Sequence, residues 1–74
     1  MPAALSSASA PVNYVVFLRD LNGGGELEKI EGPNAKLNVK DGDIQIMEEG
    51  VGLWKGRTRT LYPWHRVVRV QEIF

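Results

Sequence analysis

From Ala35 to Met47 apolar and polar residues alternate, and the alternation is interrupted once, by Asp41-Gly42. Ala35, Leu37 and Val39 are spaced by Lys36, Asn38 and Lys40; Ile44 and Ile46 are spaced by Asp43, Gln45 and Met47. Side chains of a strand point to opposite faces in turn, so each run acquires one apolar face, whereas a helix would scatter the same residues around its surface. Asp-Gly between two such runs is the strongest short-range hairpin signal, because both central residues tolerate positive φ. The stretch is therefore expected to form two antiparallel strands joined at Asp41-Gly42, and Glu48-Glu49-Gly50 is expected to turn the chain again.

The flanking segments read in the same way. Asn13 to Asp20 is a strand in which Tyr14, Val16 and Leu18 share one face and Val15, Phe17 and Arg19 the other. Apolar residues on both faces point to a central strand covered on two sides. Leu21-Asn22-Gly23-Gly24-Gly25 breaks it; three consecutive glycines lose much backbone entropy on ordering, so a mobile loop is expected, and without a following helix or Lys-Ser/Thr it is no phosphate loop. Glu26 to Glu31 is a charged run suited to a solvent-facing edge, with Leu27 and Ile30 out of strict alternation, and Gly32-Pro33-Asn34 reads as a turn. Val51 to Trp54 is a short apolar strand. Arg57 to Tyr62 follows it, either as the second arm of a hairpin turning at Lys55-Gly56 or as the continuation of one strand bulged at Gly56.

The last quarter holds the densest positive charge. Pro63 cannot donate to a ladder, Trp64-His65-Arg66 fits a single 3₁₀ turn, and Val67 to Val70 reads as a closing strand with Val68 and Val70 as its core pair. Five or six short antiparallel strands with a one-turn 3₁₀ corner before the last make the expected fold an all-β barrel over residues 12–74, with residues 1–11 a disordered tail. The corner resembles that of SH3-like and Sm-like barrels, although neither the Sm glycine-containing strand motif nor the Ala-Leu-Tyr-Asp-Tyr opening of SH3 domains is present. Tyr62-Pro63-Trp64-His65-Arg66-Val67 also resembles the Pro-x-His-Arg-Ile/Val ending of a small RNA-end recognition family. The same segment is similar to the Tyr-Pro-Trp-His endings of short proteins from bacteriophages and actinobacteria. These likenesses imply a small barrel and add weight to nucleic acid as a ligand.

Composition narrows the chemistry. A chain of 74 residues has one small core, which supplies roughly 3–5 kcal/mol without a staple. It has no cysteine and one histidine, so neither a disulfide nor a Cys/His zinc site supplies one, and self-association becomes attractive. The absence of cysteine fits a reducing, cytoplasmic setting. No segment has the length and apolarity of a membrane span, and the opening residues lack the basic start and apolar stretch of a secretory signal. Net charge is zero, yet it is unevenly placed. Residues 1–50 carry four basic and eight acidic groups, a balance of −4; residues 51–74 carry five basic groups and Glu72, a balance of +4.

Catalysis has little to draw on. The serines all lie in the tail (Ser6, Ser7, Ser9), and His65 beside Trp64 and Pro63 reads as a packed corner residue. The paired carboxylates Asp41/Asp43 and Glu48/Glu49 are turn residues. The expected function is that of a non-catalytic module without cofactor or metal, binding a protein partner or its own copies. The expected site is the aromatic and basic surface of Lys55, Arg57, Arg59, Tyr62, Trp64, His65, Arg66 and Arg69. Aromatic and arginine side chains are the usual interface anchors, while the core-filling alternative for Trp54 and Trp64 also fits their size. The second expectation is nucleic-acid binding by the same residues, arginines on phosphates and Tyr62 or Trp64 stacked on a base; zero net charge and the acidic first half weigh against it. Neither a membrane nor a small-molecule substrate is expected.

Arg57 and Arg59 fall on the wet face of their strand, so Arg57→Glu combined with Arg59→Glu should change stability by less than about 1 kcal/mol in urea denaturation. Unfolding of the double variant would reverse the assignment of faces.

Overall fold

The computed structural model describes residues 10–20 and 28–74. Six strands and one 3₁₀ turn follow in order: β1 (Asn13–Leu18), β2 (Glu28–Pro33), β3 (Ile44–Ile46), β4 (Gly50–Lys55), β5 (Thr58–Pro63), the 3₁₀ turn Trp64–Arg66, and β6 (Val67–Ile73). They build two antiparallel three-stranded sheets, in the orders β2-β1-β6 and β3-β4-β5. The fold is all-β. The expected disordered tail falls mostly on residues 1–9, outside the described residues; Pro11 at its end is buried, and its carbonyl accepts a hydrogen bond from Asn34 Nδ2 at 2.9 Å. The expected mobile Gly23-Gly24-Gly25 loop and Leu27 also lie outside the described residues.

β1 is central in its sheet, as its two apolar faces require. Val16 and Leu18 point inward and are fully buried. On the opposite face Val15 is buried too, and the Arg69 guanidinium lies 4.3 Å from the centroid of the Phe17 ring. The core is completed by Ile44, Val51 and Leu53 from the second sheet, with Tyr14, Ile30, Tyr62, Val67 and Val70 packed around it. Pairing along β1–β6 slips between Phe17 and Leu18, so that Phe17 faces Arg69 but Leu18 faces Val67. That bulge skips Val68 and turns Val67 inward. The expected core pair Val68/Val70 is thus corrected to Val67/Val70, with Val68 42% exposed.

Two hairpins make the second sheet. Met47 and Gly50 exchange backbone hydrogen bonds of 2.8 and 3.3 Å around Glu48-Glu49. β4 and β5 turn at Gly56-Arg57, with Lys55 opposite Thr58 and Gly56 at φ 61° while Arg57 stays at negative φ. Positive φ at the first central residue alone is the type II′ pattern that suits a hairpin's twist, which settles the Gly56 alternative in favour of a tight turn. Asp41 Oδ1 accepts from the Gly56 amide and holds this turn from outside (2.6 Å).

Asp41-Gly42 behaves differently from expectation. The Lys40 carbonyl accepts from the Asp43 amide at 3.0 Å, and only Gly42 has positive φ, 91°. Positive φ at the second central residue alone is the type II pattern, whose twist splays flanking strands. Gly42 and Asp43 then extend the β3–β4 ladder instead: the Gly42 amide donates to Trp54 at 2.7 Å and the Trp54 amide to Asp43 at 3.0 Å. Apart from the Ala35 amide, which donates to the Ile44 carbonyl at 2.8 Å, the Ala35–Lys40 run finds no partner strand among the described residues and stays irregular, with Leu37 102% exposed.

The sheets approach each other most closely between β2 and β3. Residues expected as a turn, Gly32 and Pro33, instead finish β2, and Asn34 forms a parallel bridge to Ile44. A Cβ on residue 32 would stand 2.1 Å from the Gly42 carbonyl oxygen, inside any permitted contact. Gly32 is what lets the two backbones pass. Gly32→Ala should therefore cost at least about 2 kcal/mol in chemical denaturation, against under about 1 kcal/mol for an alanine at an open surface position; equal costs would show that the approach is not needed.

Candidate functional site

The eight residues expected to form one surface are divided by the fold among four places. Lys55, Arg57 and Arg59 lie at or beside the β4–β5 turn, all exposed. Arg59 spans the outer face of its sheet: Nη1 donates to Gln45 Oε1 at 3.2 Å, and the guanidinium sits 5.6 Å from the Trp54 ring centroid. Trp54 Nε1 donates to the same Gln45 oxygen at 3.3 Å, so one amide carbonyl orients both side chains. Trp54 is half-buried on this outer face and does not belong to the core.

At the corner, Tyr62 lies half-buried against the core, and the Arg66 guanidinium rests 5.7 Å from its ring centroid. Arg66 is a structural clamp: Nη2 donates to the Arg19 carbonyl at 2.8 Å and lies 3.6 Å from Glu28 Oε1, with the side chain only 20% exposed. Arg19 returns the contact by donating from Nε to the His65 carbonyl at 3.2 Å, and its amide donates to the Arg66 carbonyl at 2.8 Å. The 3₁₀ turn is thus stapled to the end of β1 by two interlocked arginines. Neither Tyr62 nor Arg66 is a free surface group. His65, expected to be packed, is exposed. Arg69 lies on the outer face of the first sheet, where it covers Phe17.

Trp64 stands apart from all of these. The residue is 41% exposed, and its Nε1 donates to the Glu48 carbonyl at 2.8 Å, which tethers the ring to the turn between β3 and β4. The core-filling alternative for Trp64 is overturned: an indole N–H needs a partner, and the open turn at Glu48 supplies one only at the rim. With Tyr14, Ile46, Val70 and Glu72, Trp64 lines a cleft of about 340 Å³. Burial, and secondarily the Glu72 carboxylate, hold the Tyr14 hydroxyl above its ordinary value of 10.0. Tyr14, Ile46 and Glu72 were not among the expected site residues, because each looks in sequence like an ordinary alternating strand position.

β6 adds a second feature to this corner. It is an edge strand, paired only with β1 among the described residues, and beyond its bulge residues 69–73 keep a regular register. Val68, Ile73 and Phe74 are 42%, 44% and 69% exposed. A wider depression of about 600 Å³ lies elsewhere, under the Lys36–Lys40 loop, against Pro33, Asn34 and Asp43. Among the described residues no cluster of His, Cys, Asp or Glu is arranged to hold a metal ion, and no helix is long and apolar enough to cross a membrane. Comparison with protein-family models, with the curated proteins and with the solved structures finds no match.

Because Trp64 packs at the rim, Trp64→Ala should cost about 1–2 kcal/mol in denaturant, below the roughly 3–5 kcal/mol of a core aromatic. A larger loss would restore the ring to the core. The raised Tyr14 value has a definite sign: below pH 10 the hydroxyl is neutral in both states, and its contribution to stability is lost as pH rises through the folded-state value. Stability measured from pH 9 to 11 should fall less steeply in Tyr14→Phe than in the parent.

Proposed function

We propose that the protein is a non-catalytic interaction module whose C-terminal strand accepts an extended segment of another polypeptide, from a partner protein or from a second copy. The two sheets would then be the halves of a small SH3-like barrel, open between β5 and β6. One observation carries the reading: β6 is a seven-residue strand paired on one side only among the described residues, with Val68 and Ile73 exposed along it, Phe74 exposed just beyond its end and exposed Trp64 in the turn that precedes it. A strand edge with free amides and carbonyls is a template for strand addition, and its apolar side chains give the added strand something to bury. Two six-residue strands also lie at sheet edges among the described residues, and both carry the usual deterrents: β5 has Arg59 and terminal Pro63, and β2 has Glu28, Lys29, Glu31 and terminal Pro33.

Nucleic-acid binding receives less support from the same geometry. Arg66 is committed to Arg19 and Glu28, Arg69 to the Phe17 ring, Arg59 to Gln45 and the Trp54 ring, and Tyr62 to the core, so of the five C-terminal basic groups Lys55 and Arg57 are left, at one hairpin tip. Protein and nucleic-acid ligands respond oppositely to salt. Phosphate binding collapses as salt rises through counterion release, whereas an apolar strand interface survives it and depends on protein concentration.

Light scattering at two concentrations and two salt levels should show a mass that rises with concentration and persists in high salt, or else a monomer that captures partner peptides as β-strands. Val68→Lys with Ile73→Lys should weaken either association at least tenfold while leaving the circular dichroism spectrum unchanged. Association unaffected by those two charges would remove β6 from the interface.

A further inference from the structure

The cleft beside β6 has walls of one kind and a rim of another. Trp64 presents a fixed ring face, and Tyr14, Ile46 and Val70 supply apolar surface. Glu72 is an exposed lining residue with no ion pair among the described residues; the ion pairs formed there, Arg66–Glu28 and Lys29–Glu31, do not involve it. Ring faces attract cations and an adjacent carboxylate strengthens that attraction. An anion would be repelled by Glu72. A purely apolar occupant would strip water from that carboxylate and return nothing for it. A long aliphatic stem ending in a positive head satisfies both the walls and the rim.

The position of the cleft says how such a group would arrive. Val70 and Glu72 are the inward-facing residues of β6, opposite Val16 and Tyr14 of β1. Side chains of an added strand alternate in the same way, so its inward positions would fall over the same side of the sheet as Val70 and Glu72. We infer that the cleft of Tyr14, Ile46, Trp64, Val70 and Glu72 takes a lysine or arginine side chain of the polypeptide that docks along β6. This assignment rests on the strand-docking reading for the source of the side chain, and on the cleft alone for its chemistry.

Single amino-acid derivatives separate the two, because they are too short to add a strand. The full chain, labelled with ¹⁵N, is titrated with Nα-acetyl-lysine amide and Nα-acetyl-arginine amide, with Nα-acetyl-norleucine amide as the uncharged isostere. The Trp64 indole N–H is followed, and the Trp54 indole, on the opposite side of its sheet, serves as the internal control. The cationic amides should shift Trp64 saturably with a Kd on the order of 1–10 mM, and norleucine amide should bind about tenfold more weakly. Glu72→Gln, a change at an exposed position, should weaken the lysine amide about fivefold or more while the fold is retained. The variant with Val68→Lys and Ile73→Lys should keep amide binding even as it loses strand docking.

The absence of a saturable Trp64 shift, equal binding of norleucine amide, or indifference to Glu72→Gln would each overturn the assignment while leaving the strand-docking reading standing. Loss of amide binding in the β6 double variant would place the amide on the edge and overturn it as well. Amide binding that persists while no polypeptide docks on β6 would also overturn it, because the side chain would then have no docked strand to present it.

Discussion

The closest approach of the two sheets is set by the Gly42 carbonyl oxygen, which occupies the space that a side chain on residue 32 would need. Everything else in the arrangement follows from where that approach is allowed. With the backbones in contact at β2 and β3, Asn34 bridges to Ile44, and the inward faces of β1 and β4 come within reach of one another. Val16, Leu18, Ile44, Val51 and Leu53 then close a core that is small but dry at its centre. A core of this size has little reserve, so one backbone contact with no substitute matters more here than it would in a larger domain.

On the opposite side the sheets are joined through the chain itself. The 3₁₀ turn carries β5 into β6, and the paired contacts of Arg19 and Arg66 fasten that turn to the end of β1. Among the described residues no hydrogen-bonded ladder crosses this side. The result is an asymmetric molecule, tightly apposed along β2 and β3 and open between β5 and β6. The β6 edge, unpaired among the described residues, the exposed Trp64 and the Glu72 carboxylate all lie on the open side. Burying them within the chain would require the sheets to close there, and the bulge between Phe17 and Leu18 helps to hold β6 in its present course.

The distribution of charge takes on a different meaning in this setting. Along the chain the basic residues cluster near the C-terminus, yet folding assigns each a separate task. Arg59 lies over Trp54, Arg66 clamps the corner, Arg69 shields Phe17, and Lys55 and Arg57 remain in water at a turn. Arginine's planar head suits it to lie on rings and carbonyls. Three of the five basic groups are thereby drawn into intramolecular contacts, and an apparent basic patch is dispersed over the corner and the outer faces of the two sheets.

Local pattern determined much on its own. The two-faced apolar run at β1 pointed to a central strand, Gly56 between β-rich runs narrowed the connection to a tight turn or a bulge, and Pro63 followed by Trp64-His65-Arg66 marked a stop and a single 3₁₀ turn. Each of these depends on the φ preferences or the alternation of a few neighbouring residues, which are properties of the chain itself. Tertiary structure decided the matters that need a second segment. Ala35 to Lys40 alternates as well as any strand, but beyond the Asn34–Ile44 bridge and the Ala35 amide's bond to the Ile44 carbonyl it joins no ladder among the described residues. Val68 yields its inward place to Val67 because a bulge shifts the register against β1. Trp64 is a rim residue because the carbonyl that satisfies its N–H belongs to Glu48, sixteen residues away. Alternation says which side chains share a face; only the packed partner says which face is covered.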